Sequence, residues 1–366
     1  MDSRERTFLA LSFQEPDRLP VDLWMSSGFT KLLTGKLGTT LEDFLDAQDV
    51  DLRYIPGPRY VGPTPARRPD GMEEDLWGVP RRTVTVPTAE GTETYQETGG
   101  APLADAQTVD EVHAYRGWPS PDWFDYGCIE EQCERVRAKG RVAVFQGDRL
   151  NRVAQLKPAM YLCGVERILE GMILQPDVAE AVFSRIRAFY VEYLERILEA
   201  AHGKLDIVLT GDDFGAQQGP LVSPAMWERF LGDGFARYAS LIKGAGVRFM
   251  HHTCGSVRPL IPLMADRGLE ILQSLQPEAR DMDPHDLKRD FGGRLAFQGG
   301  ISIQRTLPRG TPREIEREVA EKAEALGRGG GYILCTSHNV QADTPVGNLL
   351  ALLAAYRKCG RSGSSA

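Results

Sequence analysis

Two short stretches of this chain hold the residue types from which a metal-assisted site is built. His252-Thr253-Cys254-Gly255 sets an imidazole and a thiol two residues apart, and Cys335-Thr336-Ser337-His338 supplies a second thiol and a second imidazole downstream. In an extended strand, residues i and i+2 project to the same side, so His252 and Cys254 can aim at one point. Zinc accepts mixed nitrogen and sulfur donors, and a site with three protein ligands keeps a position open for substrate. The expectation is a catalytic zinc held by His252 and Cys254, with Cys335 or His338 completing the set. A structural zinc would call for a further ligand, usually from another closely spaced pair, and the sequence contains no Cys-x-x-Cys. The competing reading is that both residues are packed strand-end side chains.

Gly211-Asp212-Asp213 forms another constellation. Adjacent carboxylates on a loop cannot both face one point, so one is expected to enter the site while the other caps the following segment. The roles open to the site carboxylate are general base, orienter of a zinc-bound histidine, or substrate contact.

The elements that must position these groups read as short β-rich runs separated by longer helical patterns. Strands are expected over residues 19–24, 50–54, 141–145, 206–210, 247–251, 269–273, 294–297 and 331–334. The clearest helix covers residues 177–201, with apolar side chains at three- and four-residue steps after Pro176. Ser223-Pro224 and Thr311-Pro312-Arg313-Glu314 each read as a cap with a first-turn proline, the second with an acid at the capping-box position. Strands alternating with helices in this way imply an α/β fold, a (β/α)8 TIM barrel. An open doubly wound sheet would require a glycine-rich phosphate loop after an early strand, and none is there.

The barrel reading places the reactive groups at the mouth formed by the strand C-termini, where polar residues follow the last five strands. Residues 56–116 are long for a connection, and they contain a hairpin pattern turning near Ala89-Glu90-Gly91. This insertion after strand two is expected to act as a lid or partner-docking surface. Residues 1–360 are therefore read as a single barrel and residues 361–366, small and polar, as a disordered tail.

Composition bounds the function classes. The chain has 366 residues, 42% apolar and 26% charged, with a net charge of −8. An acidic surface without a lysine/arginine block argues against nucleic acid and anionic membranes as partners. No run of about eighteen apolar residues and no secretory pattern is visible, and scattered cysteines fit reduced thiols, so a cytoplasmic location is expected.

The chain resembles the uroporphyrinogen decarboxylase superfamily, in the branch related to corrinoid-dependent methyltransferases. The carrying stretches include Ser3-Arg4-Glu5-Arg6 through Pro16-Asp17-Arg18-Leu19-Pro20-Val21-Asp22, Gly211-Asp212-Asp213-Phe214-Gly215, His252-Thr253-Cys254-Gly255-Ser256-Val257, Gln276-Pro277-Glu278-Ala279, Phe297-Gln298-Gly299-Gly300-Ile301 and Ser337-His338-Asn339. The resemblance implies a methyltransferase or demethylase in which zinc activates a thiol or methyl donor. The methyl group would move between a small methylated substrate, or a thiol or folate acceptor, and a methylcorrinoid held by a partner protein. His252 and Cys254 match the family pair. Counted back from Asp343-Thr344-Pro345, the methyltransferases' third cysteine falls at His338, while Cys335 lies three residues earlier; both stay open as the third ligand. Asp51 resembles the stretch that holds the decarboxylases' catalytic aspartate.

A metal-free decarboxylase is the alternative. It would need arginines after strand one to hold a polyanionic tetrapyrrole, and Trp24-Met25-Ser26-Ser27-Gly28-Phe29 contains none. A non-catalytic protein that docks a corrinoid partner is the other alternative. No cobalamin-binding Asp-x-His-x-x-Gly occurs in the chain, so the corrinoid is expected to arrive on a separate protein; a homo-oligomer is compatible with all three readings.

Overall fold

The computed structural model describes residues 1–147 and 152–359. Its main sheet is curled and wholly parallel, with seven strands in chain order: β1 (Leu52–Ile55), β2 (Val142–Phe145), β3 (Ile207–Gly211), β4 (Arg248–His252), β5 (Ile271–Leu275), β6 (Ala296–Ile301) and β7 (Tyr332–Thr336). Helices fill the connections, as parallel pairing requires. The architecture is mixed α/β and TIM-barrel-like. The proposed tail at residues 361–366 lies outside the described residues.

The expected first strand, residues 19–24, is a correction. It forms isolated bridges at Val21 and Met25 in place of a strand. Its backbone nevertheless spans the two edges of the sheet: Asp22 N–H donates to Leu334 O at 2.9 Å, Leu334 N–H to Pro20 O at 2.8 Å, and Asp51 N–H to Val21 O at 2.9 Å. The reason the ladder stops is chemical. Pro20 has no N–H, and the Val21 N–H bonds the Asp51 carboxylate at 2.7 Å in place of a carbonyl.

Strand alternation sorts the side chains into two cores. Leu52, Val142, Val144, Ile207, Leu209, Met250, Ile271, Ala296 and Ile333 pack inside the curled sheet, while Phe145, Val208, Phe249, Leu272, Phe297 and Leu334 face the helices. Two positions further along the same strands, the inner layer turns polar: Tyr54 follows Leu52, His252 follows Met250, Gln273 follows Ile271, Gln298 follows Ala296 and Cys335 follows Ile333.

Most strands run one or two residues later than the apolar pattern suggests. Gln298-Gly299-Gly300 belongs to β6 and Cys335-Thr336 to β7, where each had been expected in the loop beyond. Gly299, with φ of 118°, lets β6 pass β5 so closely that a Cβ would stand 2.9 Å from the Leu275 nitrogen.

Between β1 and β2 a three-stranded antiparallel sheet is built around the hairpin Pro80–Pro87 and Thr92–Thr98, in register from Arg81 opposite Thr98 to Pro87 opposite Thr92. The hairpin tip reaches the segment after β7: Thr88 Oγ1 donates to Ala342 O at 2.7 Å, and Glu93 Oε2 accepts from Ala342 N–H at 3.1 Å and from Ser26 Oγ at 2.5 Å. Ser26 also caps the helix α1 (Ser27–Leu37) by accepting from Phe29 N–H.

Candidate active site

His252 ends β4 and Cys254 follows it, and their side chains turn to one side as the i, i+2 spacing requires: Cys254 Sγ stands 3.2 Å from His252 Nε2. The loop after β7 delivers His338, and one ligand atom from each of His252, Cys254 and His338 lies within 4.8 Å of the others. The rings of His252 and His338 are 5.4 Å apart, and Trp24 packs against both. Cys335 goes elsewhere. It is fully buried inside the sheet, with its Sγ directed to Asp22 at 3.8 Å. Of the two residues left open by sequence, the fold brings His338 to the cluster.

Each imidazole is oriented by an amide. His252 Nδ1 bonds Gln273 Oε1, and His338 Nδ1 bonds Asn339 Oδ1. An amide oxygen accepts only, so each Nδ1 carries the hydrogen and each Nε2 keeps its lone pair. Burial lowers the pKa of both histidines, that of His252 far below the ordinary value, and both stay neutral at pH 7. Burial likewise pushes the Cys254 thiol up to about 12, with Asp213 adding to the effect.

The adjacent aspartates divide their work. Asp212 takes three backbone N–H bonds, from Gln155 at 2.6 Å, Leu156 at 3.1 Å and Lys157 at 2.7 Å, and so caps the start of the helix α2 (Leu156–Cys163). Burial raises its pKa to about 7 against those three bonds. Asp213 turns inward: its Oδ1 lies 3.7 Å from His252 Nε2, and its Oδ2 pairs with Lys157. Burial opposes its charge, but Lys157 outweighs that and holds the carboxyl below its usual range.

Loop approach explains how Asp213 and Cys254 come together. Gly215 and Gly255 meet backbone to backbone, such that a Cβ on Gly215 would sit 2.6 Å from Cys254 O. Ser274 takes on a role here, where the sequence placed it only among the polar groups following its strand. It adopts a φ of 77° at a bulge in β5, bonds Ser337 O, and places its Oγ 3.8 Å from Cys254 Sγ. Gln273 and Gln298 were likewise expected among the polar residues of the mouth, and Trp24 among its aromatic ones, each without a stated role, whereas Lys157 and Asp22 were not singled out.

Asp51 is a correction. It precedes β1, at the opposite end of the sheet from His252, and is fully buried with Arg6 at 2.6 Å and Arg18 at 2.6 Å. Two arginines and the Val21 N–H saturate it, so it ties the closing segment to β1 and lies away from the mouth.

A TIM-barrel-like sheet whose strand ends converge imidazole, thiol and carboxylate defines an α/β enzyme-like class. The profile of the uroporphyrinogen decarboxylase family matches residues 77–359, and the chain belongs to that family. The uroporphyrinogen decarboxylase of Coxiella burnetii (strain RSA 493 / Nine Mile phase I) is 26% identical over 190 residues, covering 50% of this chain and 48% of its own. That of Sodalis glossinidius is 31% identical over 80 residues, 22% of each chain. The chain thus spans about half the length or less of these curated relatives. Among solved structures, a methyltransferase from Methanosarcina mazei shares the fold with a TM-score of 0.66 over 98% of this chain and 99% of that one, at 19% identity. No helix among the described residues is long and apolar enough to cross a membrane.

Proposed function

We propose that this protein is a zinc-dependent methyltransferase of the uroporphyrinogen decarboxylase family, moving a methyl group between a small methylated substrate, or a thiol or folate acceptor, and a corrinoid carried by a separate protein. The observation that carries the reading is the convergence of His252 Nε2, Cys254 Sγ and His338 within 4.8 Å. Two neutral imidazoles and one thiol form a donor set that suits zinc and leaves a position open. Zinc bound here would supply Lewis acidity and favour a thiolate over a thiol.

The chain's own residues do the rest. Gln273 and Asn339 hold the two Nε2 lone pairs toward Cys254, a task that needs a fixed tautomer. Asp213, kept anionic by Lys157, is the carboxylate beside His252 Nε2 and the group placed to accept a proton from an incoming thiol. Trp24 packs on both imidazoles. Residues 56–116 serve as the lid in this reading, supported by the hairpin tip bonded to Ala342 and Ser26.

The curated relatives' name favours a decarboxylase as the second reading. A tetrapyrrole bearing many carboxylates calls for a cluster of cations; among the described residues the mouth offers Lys157, already paired with Asp213, and Arg152 over the Trp24 ring, while the interior beneath carries the carboxylate Asp22.

Metal content and methyl transfer measured on Cys254→Ala, His338→Ala and Cys335→Ala test the proposal. The first two should lose zinc and activity together, and Cys335→Ala should retain the metal. Full zinc and full activity in Cys254→Ala would end it.

A further inference from the structure

Asp22, Asp51, Asp206 and Asp212 are the aspartates buried among the described residues. Three of them have their charge answered. Asp51 meets Arg6 and Arg18, Asp206 meets Arg4 at 3.0 Å and Arg137 at 2.7 Å, and Asp212 takes three N–H bonds at a helix start. Asp22 is different. Its Oδ2 accepts from neutral donors only, Tyr54 OH at 2.6 Å, Gln298 Nε2 at 2.5 Å and the Cys335 thiol at 3.8 Å. The Leu23 backbone N–H also approaches the carboxylate, whose Oδ1 otherwise has no hydrogen-bond partner, and neither has Gln298 Oε1 beside it. The cation whose field acts on Asp22, Arg53, is itself bonded to Glu42 and Asp46.

A buried carboxylate with no counter-charge costs several kcal/mol, which is why such groups are normally paired. Asp22 is itself fully buried, one layer beneath the groups that line the mouth. It belongs to the polar layer with Tyr54, Gln273, Gln298 and Cys335, resting on the apolar layer of Leu52, Ile271, Ala296 and Ile333. Gln273 of that layer bonds His252, and Trp24, two residues beyond Asp22 on the same side of its segment, packs on His252 and His338. Two unpartnered acceptors, one of them anionic, beneath an aromatic wall, recognise a cation that donates hydrogen bonds.

We propose that Asp22, Tyr54 and Gln298 form a subsite for the ammonium group of a small organic cation, entered from the mouth that carries His252, Cys254 and His338. Naming that cation as the substrate rests on the methyl-transfer reading; the subsite itself requires no metal.

The test compares ethylammonium with ethanol, a pair of like size, by ligand-observed NMR titration of metal-free protein at fixed ionic strength. Ethylammonium should bind about tenfold or more tightly than ethanol, the preference expected of a desolvated charge pair. In Asp22→Asn, which keeps the side-chain shape, the preference should collapse to near unity. Equal binding of the two ligands, binding of neither, or an unchanged preference in Asp22→Asn would each overturn the proposal. The comparison within the wild-type protein stands even if the variant fails to fold. Zinc content assayed on separate, metal-replete samples judges the methyl-transfer reading independently, so an ammonium preference without zinc binding would remove that reading and leave the subsite.

Discussion

At the scale of single residues, Asp22 carries a measurable energetic signature. Burial raises its pKa to about 6 from an ordinary 3.8, with Tyr54 opposing the shift. A carboxyl whose pKa is raised by folding binds more protons in the native state than in the unfolded one between those two values, so the stability it confers when protonated is lost as pH rises through about 6. Replacing it with asparagine removes the charge. Asp22→Asn should therefore be more stable than the wild type at pH 8, by up to about 3 kcal/mol, with the gap closing below pH 4. Urea denaturation at the two pH values checks this; a variant less stable than wild type at pH 8 would contradict it. A residue that weakens the fold while facing a site is the pattern expected of a functional group.

Elements, rather than residues, decide how His338 is held. It lies on the segment after β7, and the hairpin tip grips that segment at Ala342 through Thr88 and Glu93 while Glu93 also holds Ser26 at the start of α1. A salt bridge from Lys36 to Glu90 at 2.5 Å adds a second tie between α1 and the tip. Shortening Glu93 to alanine removes the shared acceptor of two loops but touches no part of either core. The expected result is weaker zinc retention on dilution, by about tenfold, with a thermal midpoint within a few degrees of wild type, because the lost bonds are partly exposed and contribute about 1 kcal/mol each. Wild-type zinc retention in Glu93→Ala would mean that β7 and its own backbone hold His338 unaided.

For the whole molecule, the fold should stand without a metal. The two cores are extensive, and neither includes His252, Cys254 or His338. Under the proposed zinc-dependent methyl transfer, stripping the protein with a chelator should abolish activity yet leave the far-ultraviolet circular dichroism unchanged, in contrast to small zinc domains that unfold when the metal is lost. Loss of the helical signal on chelation would assign the metal a structural role.

Local chemistry made part of this molecule legible from its sequence. The i, i+2 spacing of His252 and Cys254 fixes their common direction wherever a strand ends, and the alternation of apolar runs with helical periods fixes a parallel α/β sheet. The existence of seven of the eight expected strands follows for the same reason, since each is a short-range pattern, whereas their order in the sheet is set by tertiary pairing. Three-dimensional closure decided what the spacing left open. His338 joins His252 and Cys254 because β7 turns Cys335 inward and the following loop turns outward, a choice made by the β6 to β7 register. Asp51 lies at the end of the sheet away from the mouth, where Arg6 of the N-terminal helix Ser3–Leu11 and Arg18, just before the bridging segment, converge on it. The first strand became a bridge because a side chain outcompeted a carbonyl for one N–H. Asp22 meets Gln298 across 276 residues of chain, and no periodicity within either segment encodes that contact. Direction and period are properties of neighbouring residues, whereas which buried charge lacks a partner depends on every element that packs around it.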